Sequence, residues 1–157
     1  MTVHDQIIEL LRSHKIKYQH LKHEPVKTCQ DAAKIRGTSP DQGAKALVCF
    51  TDNKPIMIVL PCSRKIDFRL FKSLFHIKDL RLATPAEVLS LTSLEIGSIP
   101  PLGTLFSLPT YVDSSLSTQS QIAFNAGDHS RSVTMSFSDF AKINPATQAD
   151  FSSTNAI

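Results

Sequence analysis

Residues 44–60 read AKALVCFTDNKPIMIVL, and this stretch decides the fold. Two apolar runs, Ala44 to Phe50 and Ile56 to Leu60, flank a polar segment whose composition is typical of a turn. Short apolar runs bounded by turn residues are typical of strands that are covered on both faces of a sheet. We therefore predict a β-hairpin at the centre of the sheet.

Helical patterns lie on both sides of this hairpin. Residues 3–14 place apolar side chains at helical spacing, and Thr28 and Thr84 each have the position and chemistry of a helix N-cap. Further helices are predicted over residues 67–75 and 138–143, and short strands over residues 16–21, 110–112, 121–124 and 132–135. The chain thus mixes helices and strands along its whole length.

Length and composition are those of one ordinary globular domain. The chain has 157 residues, of which 41% are hydrophobic and 20% are charged, and no stretch approaches the roughly 18 apolar residues of a membrane span. The first residues lack the features of a signal peptide, so we expect a cytoplasmic protein. We assign one domain to residues 1–143 and predict a flexible polar tail over residues 144–157.

Charge and cysteine usage narrow the possible functions. Net charge is +3, but residues 1–81 hold 15 Lys and Arg against 8 Asp and Glu, whereas residues 82–157 hold 2 against 6. This excess permits an anionic partner at the N-terminal half, although scattered solubilising lysines explain it equally well. Three cysteines without a CxxC pair cannot all be bridged, which fits a reducing compartment, and we expect neither a disulfide scaffold nor a Cys-type zinc site.

Three short segments could carry chemistry. Lys45 interrupts an apolar strand, where it either reaches solvent or holds a phosphate or a reacting oxygen. Gly97 and Pro101 bound a loop whose backbone N–H groups could bind an oxyanion. Asn125, Asp128 and His129 lie in a polar turn that is also compatible with a simple hairpin loop.

The common catalytic motifs are missing from the sequence. The six histidines show no HxxxH or HExxH spacing, and there is no GxSxG, P-loop or GxGxxG motif. These observations disfavour a zinc hydrolase, a serine hydrolase with a GxSxG nucleophile, a P-loop NTPase and a dinucleotide-binding enzyme. We expect neither a metal nor a cofactor.

The order of several segments resembles the YbaK-like family, which comprises free-standing aminoacyl-tRNA deacylases and the editing domain inserted in bacterial prolyl-tRNA synthetases. The resemblance covers about residues 1–143 and is carried by QGAKAL at 42–47, VLP at 59–61, GSIPPLG at 97–103, LPTYVDS at 108–114 and FNAG at 124–127. It implies a mixed α/β fold with a central, mostly antiparallel sheet flanked by helices.

The resemblance also implies roles for individual residues. The lysine matching Lys45 contacts the terminal adenosine of tRNA, and Gly97 presents backbone to the aminoacyl ester. Pro101 fixes the Gly97 loop, and Asn125 with Gly127 lines the amino-acid pocket. Asp128 and His129 could hold water or tRNA, but surface-loop roles are favoured for both.

These roles imply hydrolysis of a small amino acid, Ala, Cys, Ser or Thr, from a mischarged tRNA, with tRNA(Pro) the expected carrier. The partners are then the acceptor end of tRNA and a prolyl-tRNA synthetase or an elongation factor, with no role for DNA or membranes. Two alternatives remain open: an inactive adaptor that binds the tRNA end for a synthetase, and an interaction domain without a nucleic-acid role.

Overall fold

A computed structural model describes residues 1–154. The helices are α1 (Val3–Ser13), α2 (Cys29–Arg36), α3 (Phe68–Phe75), α4 (Pro85–Thr92) and α5 (Phe137–Ile143). The strands are β1 (Tyr18–Lys22), β2 (Ala44–Thr51), β3 (Lys54–Pro61), β4 (Arg64–Ile66), β5 (Leu80–Leu82), β6 (Thr110–Asp113), β7 (Gln121–Asn125), β8 (Arg131–Ser136), β9 (Thr147–Ala149) and β10 (Ser152–Thr154). None of the helices in this range is both long enough and apolar enough to cross a membrane.

The predicted hairpin is confirmed as the antiparallel pair β2 and β3, in which Ala44 lies opposite Pro61. Its turn residues Asp52 and Asn53 both have positive φ angles, 47° and 69°. A two-residue turn with this backbone matches the right-handed twist of the flanking strands, and Asp and Asn tolerate the left-handed region better than most residues. Local turn chemistry therefore sets the register of the central strands.

The mixed α/β architecture is also confirmed. The five-stranded sheet has the order β5-β2-β3-β6-β9, and a three-stranded antiparallel sheet has the order β1-β8-β7. Antiparallel pairing predominates over the described chain, but β3 pairs with β6 and β6 with β9 in parallel. The central sheet is therefore mixed, because the chain crosses over between β3 and β6 through α3 and α4 instead of returning by a tight turn.

Strand β3 contributes to two hydrophobic cores, one on each face of the sheet. Met57 and Val59 point into the larger core, which also contains α1 and α5 residues, whereas Ile56, Ile58 and Leu60 point into a smaller core with Phe71. Alternate side chains of a strand face opposite sides, so both faces of β3 are covered. This burial places the hairpin at the centre of the molecule, as its composition predicts.

The predicted flexible tail is wrong for the part of residues 144–157 that the structure describes. Strand β9 pairs in parallel with β6, and β10 pairs antiparallel with β4. Phe151 between them is fully buried against Phe71 in the smaller core. Burial of one aromatic side chain is worth about 2–3 kcal/mol, and together with the pairing of β9 and β10 it opposes the entropy cost of ordering the segment. Residues 155–157 lie outside the described range.

Two of the three cysteines form a disulfide, which the sequence analysis does not predict. Cys29, the first residue of α2, forms a disulfide with Cys62, which directly follows β3, with their Cα atoms 5.5 Å apart. The two cysteines are separated by 33 residues, so their proximity depends on the packing of α2 against the sheet and not on sequence spacing. Cys49 is the free cysteine, and it is buried in the smaller core.

We expect reduction of the Cys29–Cys62 bond to lower the free energy of unfolding by about 3–4 kcal/mol, because the bond removes loop-closure entropy from the unfolded chain. Denaturant unfolding with and without reductant measures the change. The Cys29→Ser/Cys62→Ser variant is the matched control, since reductant has no bond to break in it. Identical unfolding midpoints for oxidised and reduced wild-type protein would contradict this expectation.

Candidate functional site

A cleft opens between α2, the beginning of β2 and the loop before Pro101. Residues from five separate segments line it, including Thr28 and Arg36 of the α2 region, Lys45, Cys62, Gly97 and Asn125. Thr28 accepts a hydrogen bond from the backbone N–H of Asp31, so it is the predicted N-cap as well as a part of the wall. The cleft therefore brings together three predicted functional residues, Lys45, Gly97 and Asn125.

Lys45 lies near the start of β2 and borders the cleft together with its neighbours Ala44 and Ala46. Its Nζ donates a hydrogen bond of 2.7 Å to the carbonyl oxygen of Arg64 in β4. Burial, and secondarily the charge of Lys65, lowers the pKa of Lys45 from its ordinary value. The side chain is thus partly desolvated and held by a neighbouring strand, and it does not extend freely into solvent.

Gly97 and Asn125 are in direct contact. Gly97 has a φ of +92°, a left-handed conformation that glycine adopts without strain. Its carbonyl oxygen accepts a hydrogen bond of 2.5 Å from Nδ2 of Asn125, at the end of β7. The loop is therefore anchored to the sheet by a side chain that itself lines the cleft.

Pro101 and Gly127 support the site from outside the cleft. Pro101 is buried, and its carbonyl oxygen accepts a hydrogen bond of 3.0 Å from Nδ2 of the buried Asn144. A Cβ on Gly127, whose φ is +91°, would approach the backbone nitrogen of His4 to 3.0 Å. The Asn144 hydrogen bond thus holds the backbone at Pro101, whereas Gly127 packs against α1 and is not part of the cleft lining.

Asp128 and His129 form the loop between β7 and β8. Asp128 Oδ1 accepts hydrogen bonds from the backbone and hydroxyl of Ser130 at 2.7 and 2.9 Å. Burial alone would raise the pKa of Asp128, but the Ser130 hydrogen bonds and Arg131 outweigh it and lower the pKa. His129 Nδ1 lies 3.2 Å from the carbonyl oxygen of Val26, and its ring borders Gly97. Both side chains are engaged in loop structure.

None of the cysteines has the environment of a nucleophile. Burial raises the pKa of Cys49 to about 12, whereas a reactive thiol requires a lowered pKa. Cys29 and Cys62 line the cleft but are bonded to each other. Residues 1–154 contain no cluster of three or more His, Cys, Asp or Glu side chains that could hold a metal ion.

The cleft is cationic. Its lining includes Lys27, Arg36 and Lys45 and, over residues 1–154, no carboxylate. Such a surface favours a ligand with negative charge or oxygen acceptors. Lys27 and Arg36 were not among the predicted site residues, because the local sequence around each is typical of a solvated cation near a helix end. No sequence signal marks Arg36, since its partners come from distant strands.

The fold and this site define a class of protein. The family model described as aminoacyl-tRNA editing domain matches residues 23–143, and the chain belongs to this family. It is 36% identical over 147 residues to the multifunctional Ser/Thr-tRNA deacylase ProXp-y of Escherichia coli, covering 89% of this chain and 87% of that protein. It is 25% identical over 149 residues to the prolyl-tRNA editing protein ProX of Acetoanaerobium sticklandii, covering 91% of each.

The fold is shared with solved structures of low sequence identity. A crystal structure of a proposed trans-editing enzyme for prolyl tRNA synthetase superposes with a TM-score of 0.84 at 23% identity, covering 98% of each chain. At this identity the likeness establishes the fold alone.

Proposed function

We propose that this protein hydrolyses the ester that joins a small amino acid to the 3′ ribose of a mischarged tRNA. The observation that carries the proposal is the convergence of Lys45, the Gly97 loop and Asn125 on one cationic cleft, whose lining contains no carboxylate from residues 1–154. Membership of the editing-domain family supports the same reaction. The proposed substrate places the activity in the cytoplasm.

In the proposed reaction, water adds to the ester carbonyl carbon, the bond to the ribose oxygen breaks, and the ribose hydroxyl leaves with a proton. The ester is already activated, so no covalent nucleophile is needed, and none of the three cysteines offers one. Backbone N–H groups of the Gly97 loop stabilise the oxyanion, which is worth roughly 10²–10³ in rate per donor. Lys45 holds the adenosine end so that the ester lies near this loop.

Serine and threonine are the proposed amino acids. The relative from Escherichia coli is described as a Ser/Thr-tRNA deacylase, and Asn125 lines the cleft with an amide group. One hydrogen of Asn125 Nδ2 binds Gly97, which leaves the second to donate to a hydroxyl oxygen of the substrate. A hydroxyl-bearing side chain would then bind better than alanine.

The test is release of labelled amino acid from tRNA charged separately with Ser, Thr, Ala, Cys and Pro, with tRNA(Pro) as one carrier. We expect Ser and Thr to be released up to about tenfold faster than Ala, the effect of one hydrogen bond, and Pro to stay attached. Release of no amino acid would favour the inactive adaptor. Adding a prolyl-tRNA synthetase, the partner that we propose, tests whether it supplies the tRNA.

A further inference from the structure

Arg36, the last residue of α2, joins the cleft to two strands of the three-stranded sheet. Its Nε donates a hydrogen bond of 2.8 Å to Oγ of Ser132, and its Nη2 donates one of 2.9 Å to Oδ1 of Asn125. Ser132 Oγ also lies 2.8 Å from Nε2 of His23, so both strand residues are held in a wider network. Arg36 thus contacts a predicted site residue through its planar guanidinium group.

No carboxylate of the described residues balances the charge of Arg36. Within residues 1–154, Arg64, Arg81 and Arg131 each have an acidic partner within 4.0 Å, whereas Arg36 has none. Burial lowers the pKa of Arg36 to about 10, so the group stays cationic at neutral pH. A partly buried cation without an acidic partner is unfavourable for folding. The hydrogen bonds that Arg36 makes, and not a contribution to stability, therefore explain why a cation occupies this position.

Arg36 determines which way the Asn125 amide points. A guanidinium group has donors and no acceptor, so the oxygen of the amide must face it. The amide nitrogen then faces the Gly97 carbonyl, where it donates. A flipped amide would place donor against donor at Arg36 and oxygen against oxygen at Gly97, so both contacts enforce the same orientation.

We propose that Arg36 is a positioning residue for deacylation, which fixes the Asn125 amide so that Nδ2 holds the Gly97 loop and presents its second hydrogen to the substrate side chain. This inference rests on the proposed function. Arg36 acts through Asn125 and does not itself touch the ester. Its loss should therefore reduce kcat and also reduce the preference for Ser over Ala.

The experiment compares Arg36→Met, Asn125→Ala and the double variant on Ser-charged and Ala-charged tRNA, with kcat and KM measured separately. We expect each single variant to lower kcat on the Ser substrate about 10²-fold, the loss that a misplaced group of about 1 Å produces. The double variant should be no slower than Asn125→Ala, because residues that act as a unit are not additive. Lys34→Met, an exposed cation on the same helix, is the matched control and should keep wild-type rates.

Asn125→Asp separates positioning from structural support. Its carboxylate cannot donate to Gly97 and places an oxygen against that carbonyl, so we expect kcat to fall as in Asn125→Ala. The new ion pair with Arg36 offsets this repulsion, so we expect the melting temperature to stay near that of wild type. Additive losses in the double variant, or wild-type kcat and Ser preference in a folded Arg36→Met protein, would overturn the role of Arg36. Failure of the wild-type protein to release any amino acid would instead overturn the proposed function.

Discussion

Lys45→Ala is expected to reduce deacylation by at least about 10²-fold, the loss that a misplacement of about 1 Å produces, while the fold stays intact. The lysine contributes one hydrogen bond, to the Arg64 carbonyl, and such a bond is worth only about 0.5–1.5 kcal/mol of net stability. In contrast, it is the cation of β2 that borders the cleft, and its loss removes the contact proposed for the adenosine end. Circular dichroism together with the hydrolysis assay measures both effects.

The control for this variant is Lys54→Ala, which removes an exposed cation from the far end of the same hairpin. It changes the net charge equally, so it accounts for any general loss of tRNA attraction. An active Lys45→Ala protein would exclude Lys45 from the mechanism. An unfolded one would show that the hydrogen bond to β4 matters mainly for structure.

Asp113→Ala is expected to lower the free energy of unfolding by about 3–5 kcal/mol, because it leaves several buried donors without an acceptor. Asp113, at the end of β6, is 2% exposed. It accepts hydrogen bonds from the backbone of Phe151 at 2.9 Å and from the hydroxyl of Ser152 at 2.8 Å, and Arg64 lies 4.0 Å away. Denaturant unfolding measures the loss.

The Asp113 carboxylate also makes the free energy of unfolding depend on pH. Burial alone would raise the pKa of Asp113, but hydrogen bonds from Ser115, Phe151 and Ser152 outweigh it and lower the pKa. A lowered pKa means that the stabilisation is complete at neutral pH and is lost as the pH falls through the folded-state pKa. Asp113→Ala should therefore be less sensitive to acid than wild type. Asp150→Ala, an exposed carboxylate nearby, should unfold within about 0.5 kcal/mol of wild type.

Local patterns predicted much of this molecule correctly. The hairpin follows from two apolar runs and a turn, and the predicted caps Thr28 and Thr84 both accept hydrogen bonds from the helices that they begin. Lys45, Gly97 and Asn125 were predicted from a resemblance, and they line one cleft. Turns, caps and strands could thus be predicted from neighbouring residues in the chain, and the site residues from the resemblance to a family.

Features that depend on contacts between residues far apart in the sequence could not be predicted from it. Strands β9 and β10 have three residues each, and a single aromatic residue, Phe151, anchors them in a core whose other members come from elsewhere in the chain. Arg36 bonds to side chains 89 and 96 residues away. The Cys29–Cys62 bond likewise needs the finished packing of a helix on a sheet. No local periodicity encodes such pairings.

The segment that ends in β10 has a consequence for the interpretation of genetic variants. Ser152 hydrogen-bonds to the Arg64 side chain, and the backbone carbonyl of Arg64 accepts a hydrogen bond from Lys45. Loss of the C-terminal segment is therefore expected to displace β4 and with it the partner of Lys45 in the cleft. A missense change at Phe151 or a frameshift shortly before it would then produce the same phenotype as a catalytic lesion. Screens for loss of translational fidelity should recover both kinds of allele, although the two positions are far apart in the gene.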